Sequence, residues 1–599
     1  MNRRLCTLCV VALLCVTTSF PAFAGGIKAN SEAAAQRVRL RILATAFLDK
    51  ATFGGQDADV DGLVQRMEQI GEKPALEEWI DDQFALQPSY LEPLAKQMMA
   101  DDGVDPLANN AWVQRYRHHA FWHNAMAAPD QLRQRIAWAL IQICVINDGM
   151  FNNRALDVTG ELQYLAPLHY YDQLIKNASR SYRDVVLDVS LHPCMGNFLS
   201  ALRNRKANLS VNRFPDENYA REVMQLFTIG LYELNADGSF KKAPDGSLIE
   251  TYDNEDIKAF ARVFTGLKYA VGPGGNTNTI WTPANFHAPM EGHEPEHDTD
   301  PKTLLNGAVL PGGQTMLQDV NGAIDNLVNH PNIAPFIGRR LIQRMVKSNP
   351  SKGHLSRVTQ AWQNTNGDMK AVIKAILLDD DVMNAISFNI AQTGPATWTV
   401  NVSDNGTEDS RLNEPMVRYT AFLRKFNAAP DYPTGRFMLA DMKYHWTQGF
   451  MASPSVFNFY LPDHQPAGDI VSYNGSTRMP NGTVHAPEFE NETSVVLNRA
   501  ANRYRWEIYS EKSIHWLLNN GTYSFKNEMT LDFSEAKSLA SNPEALVDHL
   551  NVKLAHGNLD DSFRQNLIDA LSQETTNATS RARAAILSVI VAPQTAVTR

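Results

Sequence analysis

Glu217, Arg221 and Glu222 lie within one short stretch, "FPDENYAREVMQLFTIGLYELN", and are of the types that acid–base hydrolysis uses. Two carboxylates can give and take protons, and a guanidinium can orient them or hold an anion. A helix here sets Tyr219, Val223, Leu226 and Phe227 on an apolar face. Glu217, Arg221, Gln225 and Thr228 form a polar stripe, with Asn218 and Glu222 beside it. Asp216 and Glu217 suit the positive end of the helix dipole, and Gly230 can close the helix. Ala220, Met224 and Ile229 flank the stripe, which predicts a partly buried polar network. Such a network is either a structural ion cluster or a site.

A second candidate is "HEPEHDTDPK", residues 293 to 302. His293, Glu294 and His297 match the H-E-x-x-H of zinc proteases, a motif that works only on a helix. Pro295 stands between the histidines, and a helix-interior proline costs about 3 kcal/mol. The surroundings are rich in Gly, Pro and Asn and have no helical period, so the zincin reading is set aside. His297 and Asp298 remain as metal ligands or an acid–base pair, with Lys302 pairing a carboxylate. If this loop folds over the 216–229 helix, they meet Glu217 or Glu222 in a mixed N/O set suited to zinc, manganese or another divalent first-row metal. The competing arrangement is a plain hydrogen bond from His297 to a carboxylate. His123 and Asn124 in "FWHN" are further binding candidates, against the reading of His123 as a bonded core histidine.

Helices must position these groups. "LRQRIAWALIQICV" is apolar nearly all round in its later part, as a buried helix is. "DNEDIKAFARVFTG" has Asp253 as cap and Gly266 as stop, and "GDMKAVIKAILLDD" has Asp368 as cap. Leu546, Leu550 and Leu554 recur at helical spacing, and "RARAAILSVIVA" closes the chain as another apolar helix. Strand signals are few, such as Thr397 to Val402. The expected class is all-α: a large multi-helix body with few short strands. Long irregular loops at about 268–316 and 462–490 interrupt it, and loops of such length are usually functional or mobile.

The first 24 residues read as a secretory signal peptide, with Arg3 and Arg4 before an apolar run and Ala22-Phe23-Ala24 at the cleavage site. The expected organisation is a leader at 1–24, a main helical domain at 25–490 and a C-terminal helical section at 491–599. Without Arg3 and Arg4 the chain carries 53 basic against 65 acidic residues, a formal charge of −12. That argues against nucleic acid as a partner, and no later segment has the apolar length of a membrane helix. Beyond the leader, Cys144 and Cys194 are the two cysteines, and an oxidising compartment makes a disulfide between them the expectation. It would be worth about 4 kcal/mol in the chain-entropy model. Two separate buried thiols are the alternative.

"PDENYAREVMQLFTIGLYELNADG" followed by "YDNEDIKAFARVFTGL" resembles the signature of the bacterial family called domain of unknown function 1800. "KATFGG", "FWHN", "HDTDPKTLLNG", "APFIGRRLIQRMV", "GFMASPSVFNFY" and the terminal "RARAAILSVIVAPQTAVTR" fit the same pattern. The resemblance implies an exported, mostly helical bacterial protein, often encoded beside a second exported family with an alkaline-phosphatase-like fold. It implies that His297, Asp298 and Lys302 belong to the family's pattern and that His293 and Glu294 do not. Cysteines at 144 and 194 depart from that pattern together, which fits a disulfide added in this branch. The family supplies no reaction.

Two functions follow as expectations. One is an exported hydrolase acting on envelope or extracellular material. It would use Glu217, Arg221 and Glu222 with His297 and Asp298, and His123, Asn124, Asn218 and Lys302 around them. The other is a non-catalytic binding or scaffold protein working with a neighbouring-gene exported partner. The sequence contains no G-x-S-x-G elbow, P-loop, dinucleotide fingerprint or Cys-based metal spacing.

Overall fold

A computed structural model describes residues 26–107, 113–404, 411–439, 448–459, 461, 508, 512–519, 522–574 and 577–598. The expected leader and the expected 462–490 loop lie outside these residues.

The chain is mostly helical, with a few strands in small antiparallel sheets. The N-terminal helices are α1 (Glu32–Ala51), α2 (Asp57–Ile70), α3 (Glu72–Ala85), α4 (Leu91–Asp101), α5 (Tyr116–Ala127) and α6 (Gln131–Ile141). Next come α7 (Ala166–Asn177), α8 (Tyr182–Leu191), α9 (Pro193–Phe198), α10 (Asn218–Gln225) and α11 (Asn254–Val263). Then follow α12 (Met316–Val328), α13 (Ile333–Met345), α14 (Lys352–Thr365) and α15 (Met369–Leu377). After α16 (Pro415–Lys425), the C-terminal helices are α17 (Ser534–Leu539), α18 (Pro543–Ala555), α19 (Asp561–Gln573) and α20 (Ala578–Ile590).

Local sequence explains the boundaries. The side chain of Asp253 caps α11 in a full capping box with Asp256, and Asp368 caps α15 by accepting from the Ala371 N–H. Every residue of α6 is buried, its apolar later part as its pattern predicts and also Gln131, Arg133, Gln134 and Arg135 of its first turns. Around it Phe121 stacks on Phe450 at 4.4 Å and meets the Trp138 and Tyr171 rings.

The strands qualify the all-α expectation. Strand β1 (Ile27–Ala29) joins a hairpin of β2 (Ile386–Gly394) and β3 (Thr397–Asp404), so that Ile27 faces Val400. The expected strand at Thr397 lies inside β3. Ile27, Ile42, Ala46, Val400 and Val402 make a second small core between this sheet and α1. The C-terminal helices are tied to the N-terminal ones by charge. On α1, Asp49 receives Lys425 at 2.6 Å and His556 at 2.7 Å, and Lys553 reaches Asp57 at 2.6 Å.

The expected disulfide is absent. Cys144 and Cys194 are free, fully buried thiols in the main core. Burial pushes the Cys144 thiol up to about 12, although the Tyr182 hydroxyl beside it works the other way. Burial likewise holds Cys194 protonated, in the first turn of α9. Each thiol fills its own core position as a small apolar group.

Candidate functional site

The helix carrying Glu217, Arg221 and Glu222 is shorter than its pattern predicts. After Gln225 the Phe227 N–H donates to the Glu222 carbonyl and the Thr228 hydroxyl to the Val223 carbonyl, which widens the last turn. Gly230, at φ 75°, then donates its N–H to the Met224 carbonyl and ends the segment. The Arg221–Glu217 pair, at 3.4 Å, is 43% and 42% exposed and therefore a solvated surface pair. Asn218 is exposed. Glu222 is half-buried, and burial raises its carboxyl above the ordinary value.

His297, Asp298 and Lys302 are brought together with α11 and α12. The fully buried His297 ring directs Nδ1 at the Thr265 carbonyl, 2.8 Å away, and Nε2 at Asp319 Oδ2, 3.1 Å away. Lys302 also donates to Asp319 Oδ2, at 2.6 Å, and to the carbonyls of Asp298 and Asp300. Asp298 forms a two-pronged pair with Arg262 on α11, at 2.8 and 2.9 Å. The ammonium of Lys302 thus sits beside the His297–carboxylate pair where a cation would. None of these partners is Glu217 or Glu222.

His123 and Asn124 have structural partners. His123 Nδ1 accepts from the Phe437 N–H, and burial lowers the ring to about 4. Asn124 donates to the Ser89 carbonyl at 2.7 Å.

A different set of residues converges on one point. Glu92 enters in the first turn of α4, whose N-terminus lacks a cap from its own segment. Asp172 on α7 supplies one: its two oxygens accept the Leu91 and Glu92 N–H groups at 2.7 and 3.0 Å. Lys96, one turn along α4, lies 2.8 Å from Glu92 Oε1 and hydrogen-bonds to Glu161. The turn holding Glu161 is organised by Asp157. Its Oδ1 accepts from the Thr159 N–H, the Thr159 hydroxyl and the Glu161 N–H. Gly160, at φ 85°, supplies the left-handed residue this turn requires.

Asp157 Oδ2 faces the other way, into the 268–316 loop. It accepts from the Phe286 N–H at 3.2 Å and from His287 Nδ1 at 2.8 Å. Phe286 anchors that segment between the rings of Phe151 and Tyr269. The far nitrogen of His287, Nε2, stands 3.2 Å from Glu92 Oε1. Both atoms are buried, and neither makes a well-directed hydrogen bond, although the Lys96 ammonium also lies 2.8 Å from Glu92 Oε1.

Two further histidines adjoin. His192 caps α9 by accepting the Cys194 N–H at Nδ1, so its proton must be on Nε2. That Nε2–H therefore donates to His169 Nδ1 at 2.9 Å, which in turn leaves the His169 proton on Nε2. The His169 ring lies 5.2 Å from the His287 ring, centre to centre.

Charge follows geometry. Burial opposes a charge on His287, but Glu92 and Asp157 outweigh it and raise the ring above its ordinary value. Burial would raise Glu92, yet His287 and Lys96 hold it below the usual range. Asp157 is likewise lowered to about 2 against its burial, chiefly by His287. His169 falls to about 4 and His192 lower still, because burial penalises their charged forms. The cluster thus favours the charged form of His287 between carboxylates, and burial favours the neutral forms of the adjoining His169 and His192. This arrangement can pass protons at His287 and Glu92, or present N and O ligands to a cation.

A family model described as a protein of unknown function, DUF1800, matches residues 46–597. The chain belongs to the DUF1800 family. No curated protein and no solved structure matches it. Among the described residues, no helix is long and apolar enough to cross a membrane.

Sequence reading did not find Glu92, Asp157, Glu161, His169, His192 or His287. Two signals pointed toward them: the length of the 268–316 loop, which delivers His287, and the compact "DVTGE" turn at 157–161.

Proposed function

We propose that this DUF1800 chain is an exported hydrolase acting on envelope or extracellular material, with its chemistry at the Glu92–Glu161–His287 cluster. The observation that carries this is the His287 ring. Asp157 fixes one nitrogen, and the other faces Glu92 at 3.2 Å without a well-directed hydrogen bond. An imidazole held in one orientation, with its other nitrogen facing a carboxylate to which a proton can pass, is what general acid–base catalysis requires. Glu161 and Lys96 are the partly exposed members through which a substrate would reach the buried pair. Export is supported by the leader-like N-terminus.

The test is turnover of p-nitrophenyl acetate, p-nitrophenyl phosphate and p-nitrophenyl glycosides by the purified chain. Wild type is expected to hydrolyse one class, with a loss of at least about 100-fold in His287→Asn and Glu92→Gln. Glu217→Gln should retain full activity. No turnover of any class, or equal turnover in His287→Asn, would contradict the reading.

A second reading, a binding partner of another exported protein, is favoured by one observation. Leu209 and Val211 stand exposed in the short turn closed by the Asn208–Arg213 bridge, and Phe214 stands exposed just after it. Loss of a pulled-down partner in Leu209→Asp/Val211→Asp, with turnover absent throughout, would favour it.

A further inference from the structure

We propose that Glu92, Glu161 and His287 form a binding site for one divalent first-row metal ion. This deepens the hydrolase reading and rests on the same cluster.

The argument begins with spacing. One ligand atom from each of the three residues lies within 4.8 Å of the other two. Two ligands about 2.0–2.1 Å from a tetrahedral ion stand about 3.3 Å apart. The His287 Nε2 to Glu92 Oε1 separation is 3.2 Å. These two atoms belong to side chains 7% and 8% exposed, and neither makes a well-directed hydrogen bond; Glu92 Oε1 also has the Lys96 ammonium at 2.8 Å. Their separation is the one that two ligands of a common ion adopt.

The surrounding residues meet the same requirement. A ligating histidine commonly donates its other N–H to a carboxylate, which fixes ring and tautomer. Asp157 does this at 2.8 Å, and it is itself held by Phe286, Thr159 and Glu161. A mixed nitrogen and carboxylate set suits zinc, manganese and their neighbours. Three protein ligands, with Glu161 partly exposed, leave a further position for water or substrate. His169 is excluded as a ligand through Nδ1, which is taken by His192.

Lys96 is the competitor. Its ammonium lies against both Glu92 and Glu161, so it supplies the positive charge those carboxylates need without a metal. Its side chain is 36% exposed and can swing to solvent when an ion enters. In that exchange His287 gives up its Nε2 proton and the ion replaces both charges.

The experiment is a calorimetric titration of the purified chain, stripped with EDTA and dialysed free of it, with Zn2+ and then Mn2+. One equivalent of one of them should bind to wild type. His287→Gln and Glu92→Gln should each weaken binding at least about 100-fold, since losing a ligand costs no less than losing the group that orients it. Lys96→Met should tighten it about tenfold, which a misfolded variant could not do. Binding unchanged in His287→Gln and Glu92→Gln, absent stoichiometric binding, or no gain in Lys96→Met would overturn the proposal. The hydrolase reading fails separately: a chain that binds one ion as described but turns over no substrate keeps the metal site. A stripped chain that hydrolyses at the full rate and binds no ion keeps the acid–base reading and removes this one.

Discussion

Asp157 Oδ2 accepts a 2.8 Å hydrogen bond from His287 Nδ1 across 130 residues of sequence. The same carboxylate caps its own turn and accepts the Phe286 N–H, so one side chain fixes both the 157–161 turn and the 286–287 segment. Asp157→Asn keeps the shape, removes the charge and points an amide donor at donors. We expect a loss of about 3 kcal/mol in urea unfolding, as for one broken member of a buried pair. A loss below about 1 kcal/mol would mean that His287 is positioned by something else.

The Glu217–Arg221 pair should matter little. At 3.4 Å and more than two-fifths exposed, it is screened by water. Arg221→Ala should change unfolding free energy by less than about 1 kcal/mol. A cost of about 3 kcal/mol or more would indicate a buried network on this helix.

Cys144 and Cys194 should both titrate as thiols without any reductant, but only after unfolding. A thiol reagent in native buffer should find neither, because both are buried and protonated. Fewer than two thiols in denaturant would restore the disulfide.

Acid should loosen the joint between the N-terminal and C-terminal helices. Burial alone would raise Asp49, but Lys425 and His556 outweigh it and hold the carboxyl below its ordinary range. A carboxyl lowered by folding contributes stability above its unfolded value, near 4, and loses it as pH falls toward the folded one. Burial lowers His556, with Asp49 opposing, so unfolding takes up a proton there too as pH falls below about 6.5. The wild-type melting temperature should therefore fall between pH 6 and pH 3 by more than that of Asp49→Asn. Equal slopes in the two proteins would show that the Asp49 network is not the acid-sensitive contact.

The helices that were legible carry their own period or cap. Asp253 and Asp368 cap α11 and α15, and the apolar later part of α6 is buried, as their sequences indicate. The last turn of α10 was not legible: its early end depends on how Phe227 and Thr228 use the Glu222 and Val223 carbonyls. Family membership was readable in the motif around residues 215–267. The candidate site was hidden for a simpler reason. Glu92 comes from α4, Asp157 and Glu161 from a turn, His169 from α7 and His287 from a loop, so no spacing along the chain records their meeting. The sequence did mark the loop carrying His287 as too long to be idle, but its more motif-like histidine, His297, drew the attention. The Lys302 ammonium and the Asp319 carboxylate complete that histidine's environment as a structural ion cluster.

The most direct measurement is an anomalous difference map from crystals of the chain grown with zinc chloride, collected at the zinc edge. The account predicts one strong peak about 2.0–2.2 Å from His287 Nε2 and from a carboxylate oxygen each of Glu92 and Glu161, with Lys96 turned to solvent. Well-ordered density for all four side chains with no peak among them, or a peak at His297 and Asp298 instead, would contradict it.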